Sequence, residues 1–409
     1  MSARDKTLLI GLGAPFRRDD QGRLLVEAQT VSGLQAWQKH FARVIGYAIC
    51  LDGPVPAGYS RADESGLVPP AFELVPLPDT YNRNVYRSQR SKVERTMHDL
   101  MQRADFDVFS YGGWLGDPGE IAASVARRER IPHAVWLDRV ESQVVLAEGR
   151  TPLQRIKAKL KSLVIARNER RALRGAELGM LHGTTVFDHF KAIARTPVKI
   201  EDIHLSQSDR IDPDALKIKK TRCLDGPLQI LYCGRAAPMK GGFDWLKVLH
   251  GLSERGVDFQ ATWLGDGPDL EAMKRQAGAF GLLPDKVTFP GFVVDRDAVK
   301  AHYRDAQVLL FCHLTDESPR NLIESLHLAT PLVGYRDGFS EGLVGECGAG
   351  TLVPRGDTGA LVDAVAALAS DRTRLADLIT RAAKSAADLT REQVFKHRSD
   401  IVADHLSRD

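Results

Sequence analysis

Cysteine is scarce in this chain. The five present, Cys50, Cys223, Cys233, Cys312 and Cys347, form an odd set without a Cys-x-x-Cys pair. That pattern excludes a disulfide framework and a zinc site, and it points to a reduced, cytoplasmic setting. At least three of them lie in or beside apolar strand-like runs, where a thiol acts as a small hydrophobe. Long apolar runs are also missing. None approaches the ~18 residues of a membrane-spanning helix, and Leu8 to Leu12 is too short for a secretion signal, so the protein is expected to be soluble or peripheral. Nor is there an excess of one charge: a net +3 does not by itself call for a nucleic-acid partner. What remains is an ordinary globular composition over 409 residues, enough for two cores and too much for one.

The first half alternates strand-like and helix-like segments. Thr7 to Leu12 reads as a strand, the loop Gly13 to Gly22 as the entrance to a helix from Arg23 to Arg43, and Val44 to Leu51 as a second strand. Further strands follow at Phe72 to Val75, Val108 to Tyr111, Ile131 to Leu137 and Leu178 to Leu181, with helices between them, which argues for an α/β domain with a parallel sheet. Gly11 and Gly13 begin a dinucleotide fingerprint whose third glycine is missing, and Gly22 reads as a glycine for close approach at the helix entrance. Asp138 follows the strand ending at Leu137, a rim position from which a side chain reaches a cleft; the plainer alternative is an ion pair with Arg139. Asp105 and Asp107 imitate an acidic metal motif but precede a strand directly, so a helix-to-strand turn is expected and no metal site.

The segment 150–174 carries nine basic residues (Arg150, Arg155, Lys157, Lys159, Lys161, Arg167, Arg170, Arg171, Arg174) against one acid, Glu169. Leu153, Ile156, Leu160 and Leu163 recur at three- and four-residue steps, so it reads as an amphipathic basic helix. Two readings stand: a solvated face packed through its leucine stripe, or contact with an anionic membrane surface or lipid-phosphate acceptor. Without interleaved aromatic residues, nucleic acid is not expected as a partner. The charged segment 206–227, with scattered Pro, Asp and Gly, reads as an interdomain linker.

Beyond it, the strand Leu228 to Cys233 enters GRAAPMKGG and a helix. Arg235 and Lys240, five residues apart on a loop feeding a helix N-terminus, make a diphosphate cradle: arginine holds two oxygens, lysine adds a point charge, and glycines admit the backbone. The Walker pattern is absent. In the stretch from Ala306 to Glu341, a buried strand at Val308 to Cys312 leads to adjacent carboxylates, Asp316 and Glu317, and then to a helix bearing Glu324. A short second strand, Pro331 to Tyr335, ends in the loop Asp337-Gly338 before another helix. Ligands bind beyond the carboxyl ends of such strands. Carboxylates there suit a polyol and helix N-termini suit an anion, and a sugar nucleotide is both.

The order GRAAPMKGG, WLGDGPDL, VTFPGF, the Ala306–Glu341 stretch and GAGTLVPRGD resembles the C-terminal domain of retaining glycosyltransferases of family four, with GT-B architecture. The resemblance is dense over residues 228–371 and general elsewhere. It implies two Rossmann-like α/β domains facing an interdomain cleft: 1–205 on the acceptor side, with the C-terminal helix 390–409 packing back on it, then the linker, then 228–389 for the nucleotide sugar. By the same resemblance, Arg235 and Lys240 hold the diphosphate and stabilise the leaving nucleotide. Gly291 and Phe292 lie near the base, and Glu324 accepts from the ribose hydroxyls. Ser318, the amides of Arg320 and Asn321, and Gly338 belong to the donor side. The family's acidic signature is Glu, seven residues, Glu; counting back from Glu324, the first position is Asp316, with Glu317 one residue late, so either carboxylate is a candidate for the donor sugar. One of them could instead only cap the helix near Ser318. Many members place a histidine where Asp138 stands, while His133 reads as packed. The resemblance thus implies a metal-independent hexosyl transfer, without cofactor, from a nucleoside-diphosphate sugar to a glycan, glycolipid or small hydroxyl acceptor. A GT-B epimerase or phosphorylase would need a histidine or further acidic base, and a binding-only pseudoenzyme would have lost transfer with its altered acidic loop.

Overall fold

The computed structural model describes residues 3–147, 152–203, 205–316, 318–385 and 389–407. The chain divides into two compact units, 1–204 with 392–409, and 205–391.

In the first unit the strands run in chain order β1 (Thr7–Gly11), β2 (Arg17–Arg18), β3 (Leu24–Glu27), β4 (Arg43–Ile49), β5 (Tyr59–Arg61), β6 (Phe72–Leu77), β7 (Phe106–Ser110), β8 (Ala134–Leu137), β9 (Leu178–His182) and β10 (Pro197–Ile200). Seven form one sheet in the order β10-β9-β8-β7-β1-β4-β6, every described pair parallel. Because strand side chains alternate, β1 sends Leu9 to one face and Leu8 and Ile10 to the other. Leu9 joins Ile45, Phe109, Val135 and Leu181 in one apolar core. Leu8 and Ile10 join Val44, Val108, Ala134 and Met180 in the second. The second core is closed by Phe395, Val402 and Leu406 at the C-terminal end of the chain, within and just after the helix Arg391–His405, with Trp37 edge-on to Phe395. Arg398 of that helix is buried over the Trp136 ring and ion-pairs with Asp202.

Three sequence expectations fail in this unit. The helix expected over Arg23 to Arg43 spans only Ala28–Gln38. Arg23 to Glu27 is instead turn and strand, because β2, β3 and β5 pair antiparallel into a small second sheet over Phe16, Val26 and Ala48. Gly22 accordingly lies in the β2–β3 turn, not at a helix entrance. Its φ of +76° explains the glycine, and no described atom lies within 4 Å of where a Cβ would be, so close approach does not. The third concerns the basic segment, where the helix is Pro152–Gly175 and Arg150 falls outside the described residues. Its buried positions are Ala158, Ser162, Ile165, Glu169, Ala172 and Leu173. The leucine stripe does not pack the helix down; it faces solvent.

The second unit has β11 (Leu228–Cys233), β12 (Phe259–Leu264), β13 (Val287–Gly291), β14 (Val308–Phe311), β15 (Leu332–Tyr335) and β16 (Gly350–Val353), all parallel, in the order β13-β12-β11-β14-β15-β16. Numbered within the unit this is 3-2-1-4-5-6, a doubly wound sheet whose order reverses between β11 and β14. The expected linker 206–227 is not a free connector. It contains the helix Pro213–Arg222, started by Asp212 and Pro213 and docked by the buried Lys219. The Lys219 ammonium donates to the carbonyls of Tyr303 and Leu328 at 3.0 Å each and to Thr330 Oγ1 at 2.7 Å. Burial holds this amine well below the usual lysine range.

Candidate functional site

The reversal of strand order leaves a crevice at the carboxyl ends of β11 and β14, because the connections from these two neighbours leave in opposite directions. The loop after β11 carries Arg235, exposed, and Lys240, half-buried, and ends at Gly241, which opens the helix Gly242–Glu254. Gly241 must be glycine on two grounds. Its φ is +66°, and an added Cβ would lie 1.9 Å from the carbonyl oxygen of Cys312, at the end of β14. The two loops are thus in van der Waals contact, and Leu314 N–H donates to Met239 O at 2.8 Å across them. The Asn321 side chain adds a 2.6 Å bond to Cys233 O at the end of β11. Under the loops Tyr232 stacks on Trp263, with centroids 4.0 Å apart, and shares a 2.9 Å hydrogen bond with His313 Nε2. His313 is buried. Desolvation, with Lys240 and Arg355 nearby, keeps its imidazole well below the usual range, hence neutral. It is part of the floor, not the exposed histidine base that an epimerase or phosphorylase would need.

Asp316 lies on the loop after β14 and ion-pairs with Arg355, on the loop after β16. It does not cap the following helix: Arg320–His327 has Pro319 at its N-cap and no side-chain cap bond. Glu317 falls outside the described residues. Ser318 is buried beside the helix start, and Arg320 and Asn321 take the first two helical positions, where backbone N–H groups point off the end. Gly338 likewise begins the helix Gly338–Cys347. There Asp337 is committed to capping, accepting from Ser340 N at 2.7 Å. Glu324, on the inward face of its helix, is 7% exposed and accepts from Arg296 Nη2 at 3.2 Å. Gly291, with φ +78°, ends β13 and presents the exposed Phe292 at the same rim.

One end of one sheet therefore carries Arg235, Lys240, Asp316, Ser318, Arg320, Asn321, Glu324, Gly338, Gly291 and Phe292. Arg296 and Arg355 were not singled out in the sequence. The only signal for Arg355 was its place inside GAGTLVPRGD; nothing local marked Arg296.

The remaining candidates belong to the first unit. Asp138 stands just past β8, exposed, and accepts from Trp136 Nε1 at 2.6 Å, with His182 Nδ1 at 3.7 Å. Arg139 bonds Glu141 instead, so the Asp138–Arg139 pair does not form. His182 ends β9, one strand over, and was missed as a rim residue because its strand reads as core. Gly22 lies in the β2–β3 turn of the small antiparallel sheet. Asp105 is a turn residue, accepting from Thr7 N at 2.8 Å and Lys6 Nζ at 3.0 Å, and no metal-holding cluster occurs among the described residues. His133 is buried, its Nδ1 2.8 Å from Ile131 O, as a packed residue should be.

Sequence asked for none of what surrounds Asp117, the buried N-cap of Pro118–Glu129. Its carboxylate accepts from the amides of Gly112, Gly113 and Gly119 and so shapes the loop after β7, where the first sheet reverses. Burial outweighs these bonds and pushes its pKa up to about 6.

Comparison with known proteins agrees with this arrangement. Residues 214–385 match the family described as Glycosyl transferases group 1. The chain is 32% identical over 147 residues to a 2-deoxystreptamine N-acetyl-D-glucosaminyltransferase of Streptomyces fradiae, covering 35% of this chain and 34% of that one. It is 30% identical over 180 residues to the putative colanic acid biosynthesis glycosyltransferase WcaL of Escherichia coli K12, covering 42% and 43%. The matches thus span about a third to two fifths of these relatives' own length. Similar solved structures include Anabaena HepE in complex with UDP and glucose, with a TM-score of 0.69 at 14% identity over 98% of this chain and 100% of that one. Sucrose-phosphate synthase from Thermosynechococcus elongatus has a TM-score of 0.69 at 13% identity over 98% of both chains. At such identities the likeness is one of fold, the two-domain α/β architecture called GT-B. The match to the glycosyl transferases group 1 family falls within the second unit of this chain, the unit that carries the cation loop and the acidic loop at one sheet edge.

Proposed function

We propose that the chain is a retaining glycosyltransferase that moves a hexosyl-type unit from a nucleoside-diphosphate sugar to a hydroxyl acceptor without a metal ion. The observation that carries this reading is the seating of the Arg235–Lys240 loop on the Asp316 loop through Gly241 and Cys312 O. That contact brings two cations and a helix N-terminus, suited to a diphosphate, beside a carboxylate suited to sugar hydroxyls. Glycosyl transfer needs the leaving diphosphate stabilised as negative charge develops. Arg235 and Lys240 supply that stabilisation from fixed positions, with no proton transfer of their own. Glu324, buried and oriented by Arg296, receives the ribose hydroxyls through its remaining lone pairs. Phe292 offers an exposed ring to the base. Retention follows from attack on the face the diphosphate leaves, with the departing phosphate taking the acceptor's proton.

The donor class is a hexose or N-acetylhexosamine on a nucleoside diphosphate. HepE in complex with UDP supports a uridine nucleotide, and the named aminoglycoside and colanic acid relatives support a sugar or aminocyclitol hydroxyl as acceptor. The small, odd number of cysteines, with no Cys-x-x-Cys pair, supports a reducing, cytoplasmic location. The test is a thermal-shift screen against UDP-, GDP-, ADP- and dTDP-sugars with their free diphosphates, followed by donor hydrolysis. Stabilisation by one nucleotide series with slow release of its sugar is expected. Stabilisation by none would overturn the donor site, and binding without turnover of any donor would assign a binding protein.

A further inference from the structure

The helix Pro152–Gly175 carries apolar side chains on two opposite faces. One holds Ile165, Ala172 and Leu173 and packs into the first unit. The other holds Leu153, Ile156, Leu160, Leu163 and Val164, which are 64, 59, 62, 61 and 48% exposed. At about 100° per residue, the exposed set falls in a sector about 100° wide, centred half a turn from the buried set. Exposed cations border it on both sides, Lys157 along one edge and Lys159 and Arg170 along the other, while Lys161, half-buried, is held over the Trp114 ring. The outward direction continues toward the C-terminus as Arg167, Arg171 and Arg174. The helix's one acid, Glu169, is buried and bonded to Ser142, so it offsets none of this charge at the surface.

We propose that this helix docks the protein onto an anionic lipid bilayer, lying in the plane of the interface. In that pose the aliphatic sector enters the headgroup–acyl boundary, and the lysines extend from its edges to lipid phosphates with their methylene stems in apolar contact. Three properties favour lipid over other occupants. A second copy of the chain, pairing sector to sector, would bring unbalanced lysine rows together. A nucleic acid would meet the cations but gain nothing from the aliphatic centre, and the exposed sector has no aromatic ring to stack. An anionic bilayer satisfies both the charge and the apolar sector. The inference does not rest on the donor chemistry, since lipid binding is read without turnover.

The test is co-sedimentation of the full chain with vesicles of phosphatidylcholine alone or with phosphatidylglycerol. Binding is expected only to the anionic vesicles and should weaken as salt rises. Each of Lys157→Gln, Lys159→Gln and Arg170→Gln should lower partitioning about fivefold, the equivalent of about 1 kcal/mol per cation near the surface. The double variant Leu160→Gln, Leu163→Gln keeps every charge and, being at exposed positions, should keep the thermal transition, yet lose anionic-vesicle binding at low salt. No binding to anionic vesicles would overturn the proposal. So would binding that the leucine variant leaves intact, which is surface charge without insertion. A concentration-dependent dimer abolished by the same variant, with no vesicle binding, would assign the sector to self-association instead.

Discussion

The guanidinium of Arg355 is ion-paired with the carboxylate of Asp316, joining loops that leave two different strands, β16 and β14, of the second sheet. Both side chains are partly exposed, so the pair adds little to stability, ~0–1 kcal/mol by analogy with other surface pairs. Its consequence is positional. Asp316 has a shorter arm than the glutamate the family pattern carries, and Arg355 sets where that arm points. Arg355→Ala should raise the donor KM about tenfold while leaving the melting temperature within about 2 °C, and Arg355→Lys should recover part of the loss. Steady-state kinetics beside a thermal melt check this; an unchanged KM removes Arg355 from the site.

Lys240 acts, in the proposed mechanism, on charge that appears only as the donor bond breaks. Lys240→Ala should therefore lower kcat by about 10²–10³ with a smaller change in donor KM. If affinity alone suffers, the lysine is a ground-state anchor.

Gly241 and Gly226 make a matched pair. Both have positive φ, +66° and +73°, but only Gly241 would push a Cβ into backbone, while Gly226 meets nothing within 4 Å. Gly226→Ala should cost about 1 kcal/mol, for the left-handed backbone alone. Gly241→Ala should cost about 3 kcal/mol or more and weaken donor binding, because the cation loop must lift off Cys312. Urea unfolding of both variants gives the comparison.

Asp117 predicts a pH dependence confined to the first unit. Its pKa is raised to about 6 in the folded chain against 3.8 for the ordinary side chain, so the native state keeps the proton that the unfolded state has already lost between these values. Stability from this group is therefore greatest below about pH 4 and falls as pH rises through about 6. The difference between wild type and Asp117→Asn, measured by denaturant unfolding at pH 4.5 and pH 7, should shift by about 2 kcal/mol in that direction. A pH-independent difference would mean the carboxyl group is ionised throughout.

Much of this molecule was legible in its residues. The apolar runs Leu228 to Cys233 and Val308 to Cys312 are buried parallel strands because both faces of the second sheet are covered, and such strands need no alternation. Arg235, Lys240, Asp316 and Glu324 were identifiable because a loop or helix start after a strand sits at the ligand-binding edge of a doubly wound sheet. What local sequence could not carry were pairings made across the fold. Arg355 meets Asp316 from 39 residues away and Arg296 meets Glu324 from 28, distances closed by strand order and not by any periodicity. The β2–β3 turn was taken for a helix entrance because β3 is stabilised by a partner, β5, more than thirty residues on. The segment 206–227 looked like a linker because its docking depends on one buried lysine reaching carbonyls of distant loops. The basic helix shows the division most clearly. Spacing alone established that it is a helix with a leucine stripe among cations. Which face packs was decided by the tertiary structure, because Ala158 and Ile165 meet Val145 and Trp114 while Ala172 and Leu173 enter the core under the first sheet, leaving the other apolar side chains to solvent.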